Sequence, residues 1–200
     1  MRVPQPLLAV PPLRQLLATP DKPNANMLLS QSVAINDRHA DFPALRVANH
    51  LLGGDAMSRL WTRIREKEGL SYDVRSGLSW SSFELNSTWR ASAICAPQNQ
   101  PKVEAALRQE VARALQDGFT QAELDAGRNG LLNQRRLSRA QDATVAGTLS
   151  ANLYLQRSYA LQQQNDDLIA ALRLDQVNAA LRAYIDPSRW VMVWAGDFKP

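Results

Sequence analysis

Apolar and polar positions in the first half of the chain switch between the spacing of strands and that of helices. After residue 24 an apolar run ends at the turn-prone Asn36-Asp37 pair, which indicates a strand. The next apolar positions keep a 3.6-residue period up to Gly53-Gly54, which predicts a helix that ends there in a left-handed cap. The residues that carry these patterns are Met27, Leu28, Leu29, Val33, Ala34 and Ile35 in the strand, and Leu45, Ala48, Asn49 and Leu52 in the helix.

A second helix and a strand hairpin follow in the pattern. Asp55 can cap a helix with one apolar face, and Gly69 follows the last turn of that helix. Strict alternation then predicts a half-buried strand over residues 72–80, a hairpin loop over 81–84 and a return strand over 85–95. The apolar face of the helix is expected to contain Met57, Leu60, Trp61 and Ile64, and one face of the return strand Leu85, Ser87, Trp89, Ala91, Ala93 and Cys95.

The second half of the chain is predicted to be mostly helical. Thr120 and Glu123 fit a capping box, in which each side chain satisfies the backbone donor of the other residue. Helical spacing covers about 103–115, 121–140, 143–161, 168–171 and 175–184, and residues 190–194 form a closing strand. This order of elements indicates an α+β domain, with a mostly antiparallel β-sheet and helices packed on one face.

Residues 1–23 differ in composition from the rest of the chain. They contain six of the eleven prolines and show no sustained period. Because proline fixes φ and removes a backbone donor, this segment is expected to be an extended linker or connecting strand. We therefore expect a Pro-rich connecting segment over 1–23 and a single α+β domain over 24–200. A chain that starts in this way suggests a fragment or a processed half of a longer protein.

The charge of the chain is nearly balanced, with 23 Lys and Arg residues against 19 Asp and Glu residues. The densest basic group is Arg135, Arg136 and Arg139. We expect it to be a solvated helix face, because nucleic-acid binding requires more extensive basic clusters. No run of 18 apolar residues occurs, so no membrane span is expected.

Few residues in this chain have the chemistry of a metal centre or a nucleophile. A catalytic zinc ion needs about three protein ligands, and His39 and His50 stand far from any carboxylate at ligand spacing. Ser58 and Ser71 lack the surrounding His and acid pattern that would activate a hydroxyl. Cys95 is expected to be a small buried hydrophobe. A self-contained zinc hydrolase is therefore not expected.

Three short motifs carry a resemblance to a known family. They are ANHLLGG at 48–54, SRL at 58–60 and IREKEGLSY at 64–72. With these motifs, the chain resembles the C-terminal, non-zinc half of the pitrilysin/insulinase family of zinc metallopeptidases. The likeness extends from about Asp21 to Phe198 and includes the capping box and the closing Ala195-Gly196-Asp197.

The resemblance implies that two homologous halves face each other across a chamber and have different roles. One half binds zinc through an H-x-x-E-H motif, and the partner half contributes an Arg and a Tyr that hold the substrate. Arg65 and Tyr72 match that pair. This chain has no H-x-x-E-H motif, so the resemblance implies no cofactor in this chain, zinc in the partner half and no activity of this chain alone.

The positions of Arg65 and Tyr72 in the pattern allow two interpretations. At about 100° per residue, Arg65 lies about 40° from Trp61 on the helix, at the margin of the apolar face. A helix end, a Gly turn and a strand start can bring a guanidinium and a phenol to one rim, where both suit a peptide carbonyl. Alternatively, Arg65 stabilises the helix dipole by about 0.3–1 kcal/mol, and Tyr72 packs at a strand edge.

Two functions follow as hypotheses. In the first, the chain is the substrate-binding half of a zinc peptidase and acts on peptides or unfolded segments with a zinc-bearing homologous half or subunit. In the second, it is a non-catalytic assembly domain of the same fold, as in processing peptidases or respiratory complexes. The sequence leaves open the natural substrate, a homo-oligomer, and a periplasmic or cytoplasmic location in a bacterium.

Overall fold

A computed structural model describes residues 2–198 of the chain. The strands are β1 (Leu13–Ala18), β2 (Ala25–Val33), β3 (Asp73–Ser79), β4 (Ser87–Cys95) and β5 (Val191–Gly196). The helices are α1 (Phe42–Asn49), α2 (Gln100–Asp117), α3 (Gln121–Ser138), α4 (Asp142–Tyr154), α5 (Ala160–Ala170) and α6 (Leu174–Tyr184). Two segments with wider, π-type turns, His50–Gly54 and Trp61–Lys67, lie between α1 and β3. Residue 1, assigned above to the connecting segment, and residues 199–200, assigned to the domain, lie outside the described residues.

The strands form one five-stranded sheet in the order β1-β5-β2-β4-β3. β1 runs parallel to β5, and the other three neighbouring pairs are antiparallel. The predicted α+β class with a mostly antiparallel sheet is therefore confirmed. β1 lies inside the proline-rich segment and pairs Leu13 with Val191 and Ala18 with Gly196.

Buried and exposed residues alternate along the strands, so one face of the sheet is covered by helices and the other is exposed to solvent. Leu29 on β2 and Trp89 on β4 are fully buried and join the core that the helices cover. Leu28, which points to the opposite face, is 57% exposed. The pattern matches a sheet that has one face packed on its core and one in solvent.

Asn49, in the first motif of the resemblance, joins α1 to the sheet. Its Oδ1 accepts hydrogen bonds from Trp89 Nε1 and Ser76 Oγ, each at 2.9 Å. Gly53 follows with φ of −158°, so the left-handed cap predicted at Gly53-Gly54 is wrong. A Cβ at Gly53 would lie 2.5 Å from Ser76 Oγ and 2.7 Å from its backbone N. The close approach of β3 therefore leaves no room for a side chain at position 53, which accounts for the glycine there.

The helix predicted to start near Asp55 begins later. Asp55 Oδ1 accepts from the Met57 N–H at 2.8 Å, which forms a turn instead of a helix cap. Met57 is 87% exposed and does not belong to the apolar face, whereas Leu60 and Ile64 are fully buried. Leu85, predicted to start the return strand, is exposed before β4 begins.

The single helix predicted over residues 143–161 is broken into α4 and α5. At the break, Gln156 has φ of 55°. The N–H groups of Gln156 and Arg157 donate to the carbonyls of Leu153 and Asn152, at 3.2 and 2.8 Å. These two bonds form a Schellman motif, which ends α4. α5 consequently starts earlier than predicted.

Candidate substrate-binding site

The chain reverses from helix to strand between the two residues predicted to hold substrate. Gly69 has φ of 61°, in the region where residues with a Cβ are strained. The Leu70 N–H donates to Ile64 O at 2.9 Å, and Asn99 Nδ2 donates to Leu70 O at 3.2 Å. These bonds tie the turn to the preceding helix and to the start of α2. The expected Gly turn between helix and strand is therefore present.

Arg65 lies in the last turn of the Trp61–Lys67 segment, and its side chain is exposed. Its Cζ is 5.6 Å from the centroid of the Trp61 ring, within the range of a cation–π contact. Among residues 2–198, the Arg65 guanidinium forms no hydrogen bond and no ion pair. Its donors remain directed to solvent.

The carboxylates on either side of the turn are engaged by other groups. Glu68 binds Arg63 Nε at 2.9 Å, and Glu66 Oε1 accepts from Trp61 Nε1 at 3.2 Å. Neither carboxylate forms an ion pair with the Arg65 guanidinium, although Glu66 keeps its negative charge because the indole N–H is a neutral donor. An exposed guanidinium of this kind keeps its fork of donors for an external carbonyl or carboxylate.

Tyr72 occupies a bend directly before β3, and 60% of its surface is exposed. Its backbone N–H donates to Ile94 O at 2.8 Å, which fixes the main chain against β4. Within the described part of the chain, no hydrogen bond involves its hydroxyl. The phenol is therefore free to donate to a ligand, and the structure shows no hydrogen bond between Tyr72 and Arg65.

Ser71, set aside above as a nucleophile, anchors Tyr72. The side chain of Ser71 is buried, and its Oγ lies 2.6 Å from Asp73 O and 2.8 Å from Ile94 O. A hydroxyl has one proton, so this proton is shared between the two carbonyls. The residue before Tyr72 is thus held to both neighbouring strands.

Arg75 is a member of this surface that the sequence did not indicate. Its Cζ lies 4.9 Å from the centroid of the Trp61 ring, and its Nε donates to Asp73 Oδ1 at 2.9 Å. The Trp61 ring is therefore in cation–π contact with two guanidinium groups, those of Arg65 and Arg75. In the sequence, Arg75 is a polar position of the alternating strand predicted over residues 72–80, which gives no sign of a contact with Trp61. The fold places the two side chains next to each other.

The histidines do not form a metal site. His50 Nε2 is buried 3.2 Å from Asp55 Oδ2 and makes no well-aligned hydrogen bond. Burial lowers the pKa of His50, so the ring is neutral at pH 7. Nearby Glu123 is bound by Arg59 and Thr120. No group of three metal-ligating side chains occurs among residues 2–198, so these residues do not fit a zinc ion.

Other residues set aside in the sequence analysis have structural roles. Cys95 is buried, as expected, and burial raises the pKa of its thiol to about 11. Arg135 is also buried, and both Arg135 and Arg139 bind Asp166, so the expected solvated helix face is wrong at these residues. Arg136 is exposed. No helix within residues 2–198 is both long enough and apolar enough to cross a membrane.

The fold is that of an α+β domain, residues 2–198 contain no cluster of metal ligands, and comparisons with known proteins agree with this class. Residues 2–131 match the family model described as the peptidase M16 inactive domain. The chain belongs to this family, and the resemblance to the non-zinc half of the pitrilysin/insulinase peptidases is confirmed.

Relatives and solved structures point to the same family in bacteria. The chain is 26% identical over 153 residues to a non-peptidase homolog, YmxG, of Helicobacter pylori, covering 76% of this chain and 35% of that protein. It is 29% identical over 148 residues to an uncharacterized zinc protease of Streptomyces coelicolor, covering 70% of this chain and 30% of that protein. The chain thus spans about a third of the length of these curated relatives.

A crystal structure of a peptidase M16 inactive domain from Pseudomonas fluorescens is similar in fold. It superposes with a TM-score of 0.82 at 24% identity, covering 93% of this chain and 43% of that chain. A crystal structure of a protease from Helicobacter pylori gives a TM-score of 0.79 at 18% identity, covering 94% of this chain and 44% of that chain. At these identities, the likeness concerns the fold.

Proposed function

We propose that this chain is the substrate-binding half of a zinc-dependent peptidase and acts together with a zinc-bearing homologous half. The observation that supports this function is the pair of free donors at one turn. Arg65 and Tyr72 keep their polar groups exposed, while Glu66, Glu68 and Asp73 around them are engaged. The substrate class is peptides or unfolded segments, whose backbone carbonyls accept from such donors.

Each residue of the turn has a separate task in this proposal. The Arg65 guanidinium donates to a backbone carbonyl of the bound peptide and keeps its charge at any working pH. The Tyr72 hydroxyl donates to the oxygen that gains negative charge during attack, which is the position where a donor lowers the barrier. Ser71 and Gly69 position these groups. A zinc ion held by the partner half would supply the activated water.

A second function is favoured by one relative. The Helicobacter pylori protein at 26% identity is a non-peptidase homolog, which agrees with a chain that kept the fold as an assembly domain and takes no part in hydrolysis. Such a domain would associate with its partner half without contributing donors to a substrate. The two functions therefore differ in the effect of Arg65 and Tyr72 on turnover.

Reconstitution separates the two functions. The chain is mixed with a zinc-bearing half encoded in the same genome, and cleavage of a quenched fluorescent peptide is followed with each half alone and with both. We expect hydrolysis only in the mixture, and we expect chelation of zinc to abolish it. Association of the halves without hydrolysis would support the assembly function instead. Zinc-dependent hydrolysis by this chain alone would contradict both.

Tyr72→Phe tests the site within the same assay. This variant removes one hydroxyl and keeps the ring, so we expect kcat/KM to fall by roughly a hundredfold, as when one oxyanion donor is removed. Tyr154→Phe is the matched control, because Tyr154 is also exposed, at 70% of its surface. Equal activity of the two variants would show that the Tyr72 hydroxyl does not contact the substrate.

A further inference from the structure

A cavity of about 440 Å³, lined by polar and apolar side chains, lies between α1, α3, α4 and α5. Its volume is within the range of about 300–1,000 Å³ that is usual for small-molecule sites. Trp80, the residue after β3, lines the cavity and packs edge-to-face on Phe42 with 5.3 Å between ring centroids. Since Tyr72 precedes β3 and Trp80 follows it, the cavity and the substrate-binding turn are at opposite ends of this strand.

The lining of the cavity contains more positive than negative charge. Arg46, Arg135 and Arg157 line it, against the single carboxylate of Asp37. Arg157 binds both oxygens of Asp37, at 2.6 and 2.9 Å. Arg135 binds Asp166, a residue outside the lining, through its Nε. Two of the three guanidinium groups are therefore bound to carboxylates of the chain, although Arg135 shares the carboxylate of Asp166 with Arg139.

Arg46 is the exception. Its Cζ lies 5.3 Å from the centroid of the Trp80 ring. Within residues 2–198, its guanidinium makes no hydrogen bond and has no carboxylate oxygen within 4.0 Å. Burial and the neighbouring charge of Arg135 outweigh the opposite effect of the Asp166 carboxylate and lower the pKa of Arg46 to about 10, which still leaves it protonated at neutral pH. A partly buried, unpaired charge is unfavourable, and a bound anion would relieve this cost.

Uncharged donors surround the same space. Thr144 on α4 and Asn165 on α5 line the cavity. In the described part of the chain, neither side chain donates a hydrogen bond. Thr148, one turn after Thr144, uses its hydroxyl to donate to Thr144 O at 2.8 Å. A guanidinium, a hydroxyl and an amide can together surround an oxyanion, which accepts several charge-assisted or neutral hydrogen bonds.

We propose that this cavity binds a small anionic molecule whose phosphate or carboxylate group pairs with Arg46 and accepts hydrogen bonds from Thr144 and Asn165. The planar guanidinium suits two oxygens of either group. The cavity is larger than one oxyanion, so the rest of the ligand has room beside Trp80. This site is independent of the substrate-binding turn, and its failure would leave the proposed peptidase role untouched.

The test measures the thermal stability of the 200-residue chain in phosphate, acetate and chloride at equal ionic strength and pH. A ligand that binds only the folded state stabilises it by RT ln(1 + L/Kd), where L is the free ligand concentration, so the melting temperature rises with the ligand concentration. We expect phosphate, acetate or both to raise the melting temperature above the chloride value. A response to phosphate alone would assign a phosphorylated ligand, and a response to acetate alone would assign a carboxylate. Equal melting temperatures in all three salts would overturn the proposal.

Variants locate the response in the cavity. We expect Arg46→Gln to abolish the anion-dependent shift, whereas Arg136→Gln, which removes the same charge from an exposed position of α3, keeps it. Thr144→Val retains the shape of the side chain and is expected to weaken binding by about tenfold, measured by calorimetric titration. If Arg46→Gln fails to fold, Thr144→Val alone tests whether the cavity binds the anion. Unchanged anion affinity in both cavity variants, or in the variant that folds, would overturn the assignment.

Discussion

Gly69 joins the last helical turn to Tyr72, and its backbone conformation is the most demanding feature of the site. Its φ is 61°, and the space that a Cβ would occupy is open to 4 Å, so a substitution here costs conformational energy without a clash. We expect Gly69→Ala to lower the free energy of unfolding by about 1–2 kcal/mol in urea titrations. Gly147→Ala, in the open interior of α4, is the control and should stabilise by about 0.5–1 kcal/mol. Equal effects of the two substitutions would contradict this account of the turn.

At the same scale, the helix pattern, the Gly and the alternating strand predicted the turn around Gly69, which the structure contains. They left the roles of Arg65 and Tyr72 open, and only the resemblance to a known family named these two residues as substrate-binding. The stacking of Arg75 on Trp61 could not be predicted, because it joins a helix residue to a strand residue and has no local signal. The anchoring role of Ser71 also depends on a carbonyl of β4.

Among the elements, the start of α3 was predictable from its capping box, which the structure confirms: the Thr120 hydroxyl and the Glu123 carboxylate each accept from the backbone of the other. Burial alone would raise the pKa of Glu123, but hydrogen bonds from Arg59 and from Thr120 outweigh it and lower the pKa to about 2. The folded pKa lies below the usual value of 4.5. The ionised carboxylate therefore contributes stability above about pH 4.5, and this contribution is lost as the pH falls towards 2.

We expect Glu123→Gln to be less stable than the unmodified chain at pH 7. Because protonation removes the advantage of the carboxylate, the difference in free energy of unfolding should shrink between pH 4.5 and pH 2. Urea titrations at several pH values measure this difference. A difference that is constant from pH 7 to pH 2 would contradict the stabilising role of the charge.

The break between α4 and α5 was not predictable because its C-terminal cap lacks the usual glycine. Gln156 adopts φ of 55° at the position where a Schellman motif favours Gly. We expect Gln156→Gly to raise the free energy of unfolding by about 1 kcal/mol, since it removes the left-handed strain. Gln164→Gly, in the interior of α5, should lower it by about 0.5–1 kcal/mol. If Gln156→Gly also destabilises the chain, the cap is not strained.

For the whole molecule, the order of elements indicated the class of fold, since a few strands followed by a run of helices is typical of an α+β domain. The parallel pairing of β1 with β5 could not be derived in this way. It joins residue 13 to residue 191, and the prolines of the first segment hide any strand pattern. Residues 2–131 match the peptidase M16 inactive domain family, and residues 2–198 contain no cluster of metal ligands.

The central proposal is that this half holds the substrate for a zinc-bearing half. The most direct measurement is kcat/KM of the reconstituted pair with Arg65→Ala, compared with Arg136→Ala, which removes an exposed arginine from α3. Circular dichroism of both variants confirms the fold. We predict a loss of roughly a hundredfold for Arg65→Ala and a change within about twofold for Arg136→Ala. Full peptidase activity with Arg65→Ala would contradict the account.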